Sequence, residues 1–256
     1  MDWQQQVLDE LESAQAQVTA LMVNADTGEA MINLDMEKPV ISASTIKVAI
    51  MLHALERVEQ GTLTLDQQLF IPASEILPDT TVFEYGAQSM SLDELIRWMI
   101  IESDNTATNA LIRLLGMDRI NEYCQWLGLT ATRVERLMLD FDAVEHGLNN
   151  YTSAKDQCNM FLALYHHSIL TPELCAWAMD VLQGQRHKAD FLRYIPENIR
   201  VAHKTGSLDN LDHDSGIFLL DDIHFYLGVF VSDAPSNAYA QQLLGRVGKM
   251  VYDEFK

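Results

Sequence analysis

Two short apolar-rich runs near the start of the chain, residues 18–23 and 30–34, flank Asp26-Thr27-Gly28. Asp and Gly favour tight turns, so the pair predicts a β-hairpin. Ahead of it, residues 2–15 are largely polar and suit an N-terminal helix. In residues 45–58, Ile46, Ala49, Ile50 and Ala54 recur at the spacing of one helical stripe, and Gly61 closes the run. Ser42 and Ser44 stand just before that helix and are expected to cap its free N–H groups. Residues 92–182 keep a helical pattern almost throughout. It is broken near Ser103, at Gly116-Met117-Asp118, and across 129–151, where no period is readable. Strand signals return at 199–203, 215–220 and 223–231, and 235–255 reads as a closing helix.

This order predicts an α+β fold: an antiparallel sheet of about five strands formed from both chain ends, flanked by helices, with an inserted all-α lobe. No repeat, low-complexity tract or Pro/Gly-rich linker divides the chain, so residues 1–256 are expected to form a single domain. Its α/β lobe would take residues 1–40 and 196–256, and its helical lobe residues 41–195. A cleft between two lobes is the usual place for a site.

Composition narrows the partners. Apolar residues make up 48%, enough for a substantial core, and no stretch is long and apolar enough to span a bilayer. A formal charge of −20 repels phosphate backbones and anionic lipid, so neither nucleic acid nor a membrane surface is an expected partner. Met-Asp-Trp-Gln-Gln-Gln has neither the basic start nor the apolar run of a secretory signal. That fits a cytoplasmic chain, or an extracytoplasmic one whose signal has been removed. Cys124, Cys158 and Cys175, without a C-x-x-C pair, read as buried thiols. His166-His167 and His213 lack ligand partners at metal spacing, so neither metal nor cofactor is expected.

Three strings carry chemistry: Ser44-Thr45-Ile46-Lys47, Ser103-Asp104-Asn105 and Lys204-Thr205-Gly206. Three residues apart on a helix, Ser44 and Lys47 face the same side. A serine hydroxyl is a weak nucleophile, and an amine of lowered pKa beside it can take its proton. The helix start supplies oriented N–H dipoles where an oxyanion would develop. Ser103 can relay a proton to a leaving nitrogen, and Asn105 offers a donor and an acceptor to a substrate amide. On its strand, Lys204 suits a substrate carboxylate, and Gly206 permits close approach to the backbone edge. Alternation points His203 away from the site; Glu102 is left open, solvated or facing the cleft. The first string is common by chance, whereas all three in this order are specific.

Together they are the signature of class A β-lactamases and penicillin-binding proteins. The chain therefore resembles the class A β-lactamase-like serine hydrolases over essentially its whole length. Ser103-Asp104-Asn105-Thr106-Ala107-Thr108-Asn109 opens a helix as in that family. The resemblance implies that Ser44 is acylated, that Lys47 accepts its proton, and that Ser103 and Asn105 form the second wall. It implies that Lys204 and Thr205 hold a carboxylate, and that the N–H groups of Ser44 and Ser207 form the oxyanion hole. The substrate would be a small β-lactam or peptide-like amide, and the enzyme a monomer. Thr132-Arg133-Val134-Glu135-Arg136 matches the family's lead-in to its water-activating Glu, but Met138 stands where that Glu is expected. An E-x-x-L-N string occurs later, at Glu145-His146-Gly147-Leu148-Asn149, and Asp140 and Asp142 are further carboxylates nearby. Three readings stay open: a β-lactam hydrolase, a D-amino-acid peptidase or esterase, and a covalent β-lactam sensor without turnover.

Overall fold

The computed structural model describes residues 2–256. After helix α1 (Trp3–Glu12) come strands β1 (Gln17–Asn24), β2 (Ala30–Leu34) and β3 (Val40–Ile41), then a 3₁₀ turn at Ala43–Ile46 and α2 (Lys47–Glu59). The next elements are β4 (Gln68–Ile71), a 3₁₀ turn at Ala73–Glu75, β5 (Gln88–Ser91), α3 (Leu92–Ile101), α4 (Asn105–Leu115) and α5 (Met117–Trp126). They are followed by α6 (Phe141–Glu145), β6 (Tyr151–Thr152), α7 (Ala154–Tyr165), α8 (Pro172–Gln183) and a 3₁₀ turn at Phe191–Tyr194. Strands β7 (Val201–Leu208), β8 (Leu211–Leu219) and β9 (His224–Ser232) lead to α9 (Asn237–Phe255). No helix among the described residues is long and apolar enough to cross a membrane.

The main sheet has five antiparallel strands in the order β2-β1-β9-β8-β7, so N-terminal strand β1 pairs with C-terminal strand β9, as the sequence predicts. Its faces follow the period of two. Ala20, Met22, Leu227, Val229 and Val231 pack outward with α1 and α9, while Leu21, Val23, Tyr226, Phe230 and Ile217 pack inward with the helices. Ala202 lies on the inner face and Val201 on the outer one. By the same alternation Lys204 faces inward and His203 outward, where His203 Nδ1 meets Asp214 Oδ1 at 2.8 Å.

Two expectations need correction. The helix of 45–58 begins as a 3₁₀ turn, and neither Ser42 nor Ser44 caps it by a side-chain hydrogen bond. Instead Ser42 Oγ donates to the Ala43 carbonyl at 3.2 Å, and Thr45 Oγ1 donates to the Ser42 carbonyl at 2.6 Å. The tight turn folds the Ser42 and Thr45 hydroxyls back on its own carbonyls, while Ser44 lines a cleft. The first late strand also lies further along than 199–203, at Val201–Leu208, so that Lys204, Thr205 and Gly206 are all within it.

Candidate active site

Ser44 is the one half-buried residue in an otherwise buried run from Ser42 to Leu55, and it reaches a cleft of about 390 Å³. Ser103, Asn105, Thr205, Gly206 and Ser207 line the same cleft. The 3₁₀ turn and β7 are in direct contact. A Cβ on Gly206 would lie 3.0 Å from Ser44 N, 3.1 Å from Ala43 Cβ and 3.1 Å from the Ser42 carbonyl. The glycine of the third string thus lets the turn that carries Ser44, rather than a substrate, press against the strand. It leaves the Ser44 N–H beside the Ser207 end of β7.

Lys47 and Lys204 are both completely buried, and among the described residues neither has a carboxylate within ion-pair distance. Buried lysines are almost always paired, so two unpaired ones in one place mark a site. Lys47 Nζ donates to the Ser103 carbonyl at 2.6 Å and to Asn105 Oδ1 at 2.8 Å, and lies 3.1 Å from Ser103 Oγ. Lys204 Nζ lies 3.1 Å from the same Ser103 Oγ and donates to the Thr205 carbonyl at 3.0 Å. Ser103 reaches both amines because its backbone is left-handed, with φ +56°. That uncommon conformation for a non-glycine residue turns its carbonyl and its hydroxyl toward Lys47 together. Ala43, just before Ser44, is similarly strained at φ +45°. Asp104 then starts α4 by accepting from Ala107 N at 2.7 Å, which fixes Asn105 at the helix start.

Burial drives Lys47 well below the ordinary lysine range; the Lys204 charge pushes the same way, and Asp104 and Asp79 offset part of it. Burial likewise lowers Lys204 to about 7, with Asp214 and Asp190 opposing the shift. A neutral Lys47 has two N–H groups and one lone pair. The Ser103 carbonyl and Asn105 Oδ1 can only accept, so they take the two N–H groups. One lone pair remains for a hydroxyl proton.

The other sequence candidates fall apart from this group. Met138 is buried, and its backbone is clasped by Asn109, whose Oδ1 accepts from Met138 N at 2.7 Å and whose Nδ2 donates to the Met138 carbonyl at 3.1 Å. Glu145 is exposed on α6, Asp142 lies in the same short helix, and Asp140 caps it by accepting from Ala143 N at 3.0 Å; none of the three lines the cleft. Glu102 does line it, in an ion pair with Arg186. Cys124, Cys158 and Cys175 are free and buried, and burial raises Cys124 and Cys158 to about 12. Three cleft residues escaped the sequence reading: Asp79, which accepts from Asn105 Nδ2 at 2.6 Å, Thr81, and His187, 3.3 Å from the Glu102 carbonyl. All three come from irregular loops with no motif around them.

Comparison with known proteins agrees with this arrangement. Residues 3–255 match the family described as the β-lactamase enzyme family. A β-lactamase of Bacteroides uniformis is 24% identical, over 97% of this chain and 90% of that protein. The extended-spectrum β-lactamase PER-1 of Pseudomonas aeruginosa is 26% identical, over 82% of this chain and 73% of its own. The fold superposes on a β-lactamase from Chitinophaga pinensis with TM-score 0.92 at 22% identity, covering all of both chains. It also matches PBP-A with TM-score 0.89 at 24% identity, over 100% of this chain and 96% of that one. The chain belongs to the β-lactamase enzyme family and is a class A β-lactamase-like serine hydrolase.

Proposed function

We propose that the protein opens the amide bond of β-lactams through an acyl-enzyme on Ser44. The observation that carries this reading is the pair of buried, unpaired lysines converging on Ser103 beside Ser44. Ser44 Oγ attacks the carbonyl carbon while the Lys47 lone pair takes its proton. The N–H groups of Ser44 and Ser207 receive the oxyanion. As the C–N bond breaks, Ser103 Oγ gives its proton to the leaving nitrogen and regains one from the protonated Lys47. Lys204, with Thr205, holds the substrate carboxylate, and Asn105 orients the amide. Every one of these groups belongs to one chain, so the site as proposed needs no residue from a second copy.

Release of the acyl group needs a second base to activate water. Met138 cannot accept a proton, and Glu145, Asp140 and Asp142 lie off the cleft. That supports acylation faster than deacylation, because loss of a positioned general base costs about 10²–10⁴-fold in its step. Nitrocefin in a stopped flow should give one fast equivalent and then a slow steady state. Mass spectrometry should find the adduct on Ser44 and none in Ser44→Ala. Labelling of Ser44→Ala at the wild-type rate would overturn the assignment of the nucleophile, and linear turnover without a burst would overturn slow deacylation.

A further inference from the structure

Asn105 stands between two charged groups, its Oδ1 on Lys47 and its Nδ2 on Asp79 Oδ2. Asp79 lies in the loop between the 3₁₀ turn Ala73–Glu75 and β5. That loop is fixed at the cleft mouth from three points. Leu77 N donates to Thr106 Oγ1 at 2.9 Å, Thr80 Oγ1 donates to the Asp104 carboxylate, and Phe83 is buried in the core. Asp79 itself is exposed and lines the cleft. Among the described residues it has no ion-pair partner, whereas of the other carboxylates lining the cleft Glu102 is held by Arg186, and Asp104 accepts from Thr80 Oγ1 and Ala107 N.

The contacts therefore run in an ordered row: Lys204, Ser103, Lys47, Asn105, Asp79. A cation closes one end and a carboxylate with no ion-pair partner closes the other, with Ser44 on the same cleft. We propose that Asp79 is a specificity-determining residue that selects zwitterionic β-lactams, with the carboxylate toward Lys204 and an ammonium group on the acyl side chain toward Asp79. This inference rests on Ser44 being acylated by β-lactams. An arriving ammonium makes a charge-assisted hydrogen bond with Asp79 and releases Asn105 Nδ2 to the substrate amide carbonyl. A neutral side chain must compete with Asp79 for that N–H. An anionic side chain is repelled.

Three penicillins differ only at the side-chain α carbon: ampicillin carries an amine there, benzylpenicillin a hydrogen and carbenicillin a carboxylate. At about pH 6.5, below the roughly 7.7–8.0 of an α-amino group, the amine is an ammonium. Acylation of the wild type, measured as kcat/KM for adduct formation, should fall in the order ampicillin, benzylpenicillin, carbenicillin. Each step should be about 1.5-fold to fivefold, the range for an exposed charge pair. Asp79→Asn should collapse the spread, and Asp79→Lys should invert it, each with an unchanged circular dichroism spectrum. An order that is the same in the wild type and both variants overturns the role of Asp79. No adduct with any of the three compounds overturns the reading of Ser44 beneath it, an outcome distinct from an unchanged order.

Discussion

The proposed chemistry turns on the protonation of two lysines that must differ. Lys47 acts as an acceptor only when neutral, and its burial holds it well below the ordinary lysine range. Lys204 serves a carboxylate only when charged, and at about 7 it is half charged in neutral solution. A lysine is charged below its pKa, so acylation rises with pH through the Lys47 titration. Carboxylate binding is lost as pH climbs through about 7 in the free enzyme. The kcat/KM of a carboxylate substrate should therefore be bell-shaped in pH, while a neutral ester shows the rising limb alone. In Lys204→Ala the falling limb should vanish; if it persists, some other group carries it. Lys47→Ala should lower acylation by at least about 10²-fold, since nucleophile and base act as a unit. A loss of only a few-fold would mean that the proton of Ser44 goes elsewhere.

At the scale of elements, the site depends on one strand touching one turn. Gly206→Ala would place a methyl 3.0 Å from Ser44 N and 3.1 Å from the Ser42 carbonyl, both backbone atoms that cannot swing aside. The turn must shift by a few tenths of an ångström, and displacement near 1 Å can cost about 10²-fold in rate. Acylation should fall by about 10- to 100-fold with little change in Tm, read from adduct kinetics and thermal melts. An unaffected rate would show that the contact does not position Ser44. The same scale explains what the sequence made legible. The paired strands, the helix after Ser44 and the three strings were readable because side-chain period and residue type report them directly. The segment from 129 to 151 was not, because its backbone is held by side-chain amides in place of a regular ladder. Asn121 Oδ1 and Nδ2 bond the N–H and carbonyl of Val134, Asn150 does the same for Arg136, and Asn109 for Met138. No periodicity records such contacts. Asp79, Thr81 and His187 were missed for a related reason: distant loops bring them to the cleft. The path of the 129–151 segment also decides turnover. Met138→Glu should raise the steady-state rate if that backbone presents position 138 to the acyl group, and Glu145→Gln should leave the burst unchanged. Collapse of turnover in Glu145→Gln would return the role to Glu145.

For the whole molecule, charge is the dominant property: 37 acidic residues face 17 basic ones, a net −20. A penicillin carries a carboxylate, so the substrate approaches a protein of its own sign. The screening length is roughly 30 Å at about 0.01 M salt and about 8 Å at about 0.15 M. At low salt the substrate therefore meets the field of all those acidic groups. At higher salt only the groups in and just beneath the cleft act on it, and Lys204, being fully buried, is screened far less than the surface carboxylates. The long-range repulsion fades while the local attraction persists. For benzylpenicillin, kcat/KM should then rise by about twofold to fivefold between roughly 0.01 and 0.15 M sodium chloride. A neutral ester and the zwitterion ampicillin should change by less, since neither carries net charge. The comparison separates screening from any general effect of salt on the fold, which would move all three together. A fall in kcat/KM for benzylpenicillin over that range would mean that the field of Lys204 outweighs the net charge at the cleft.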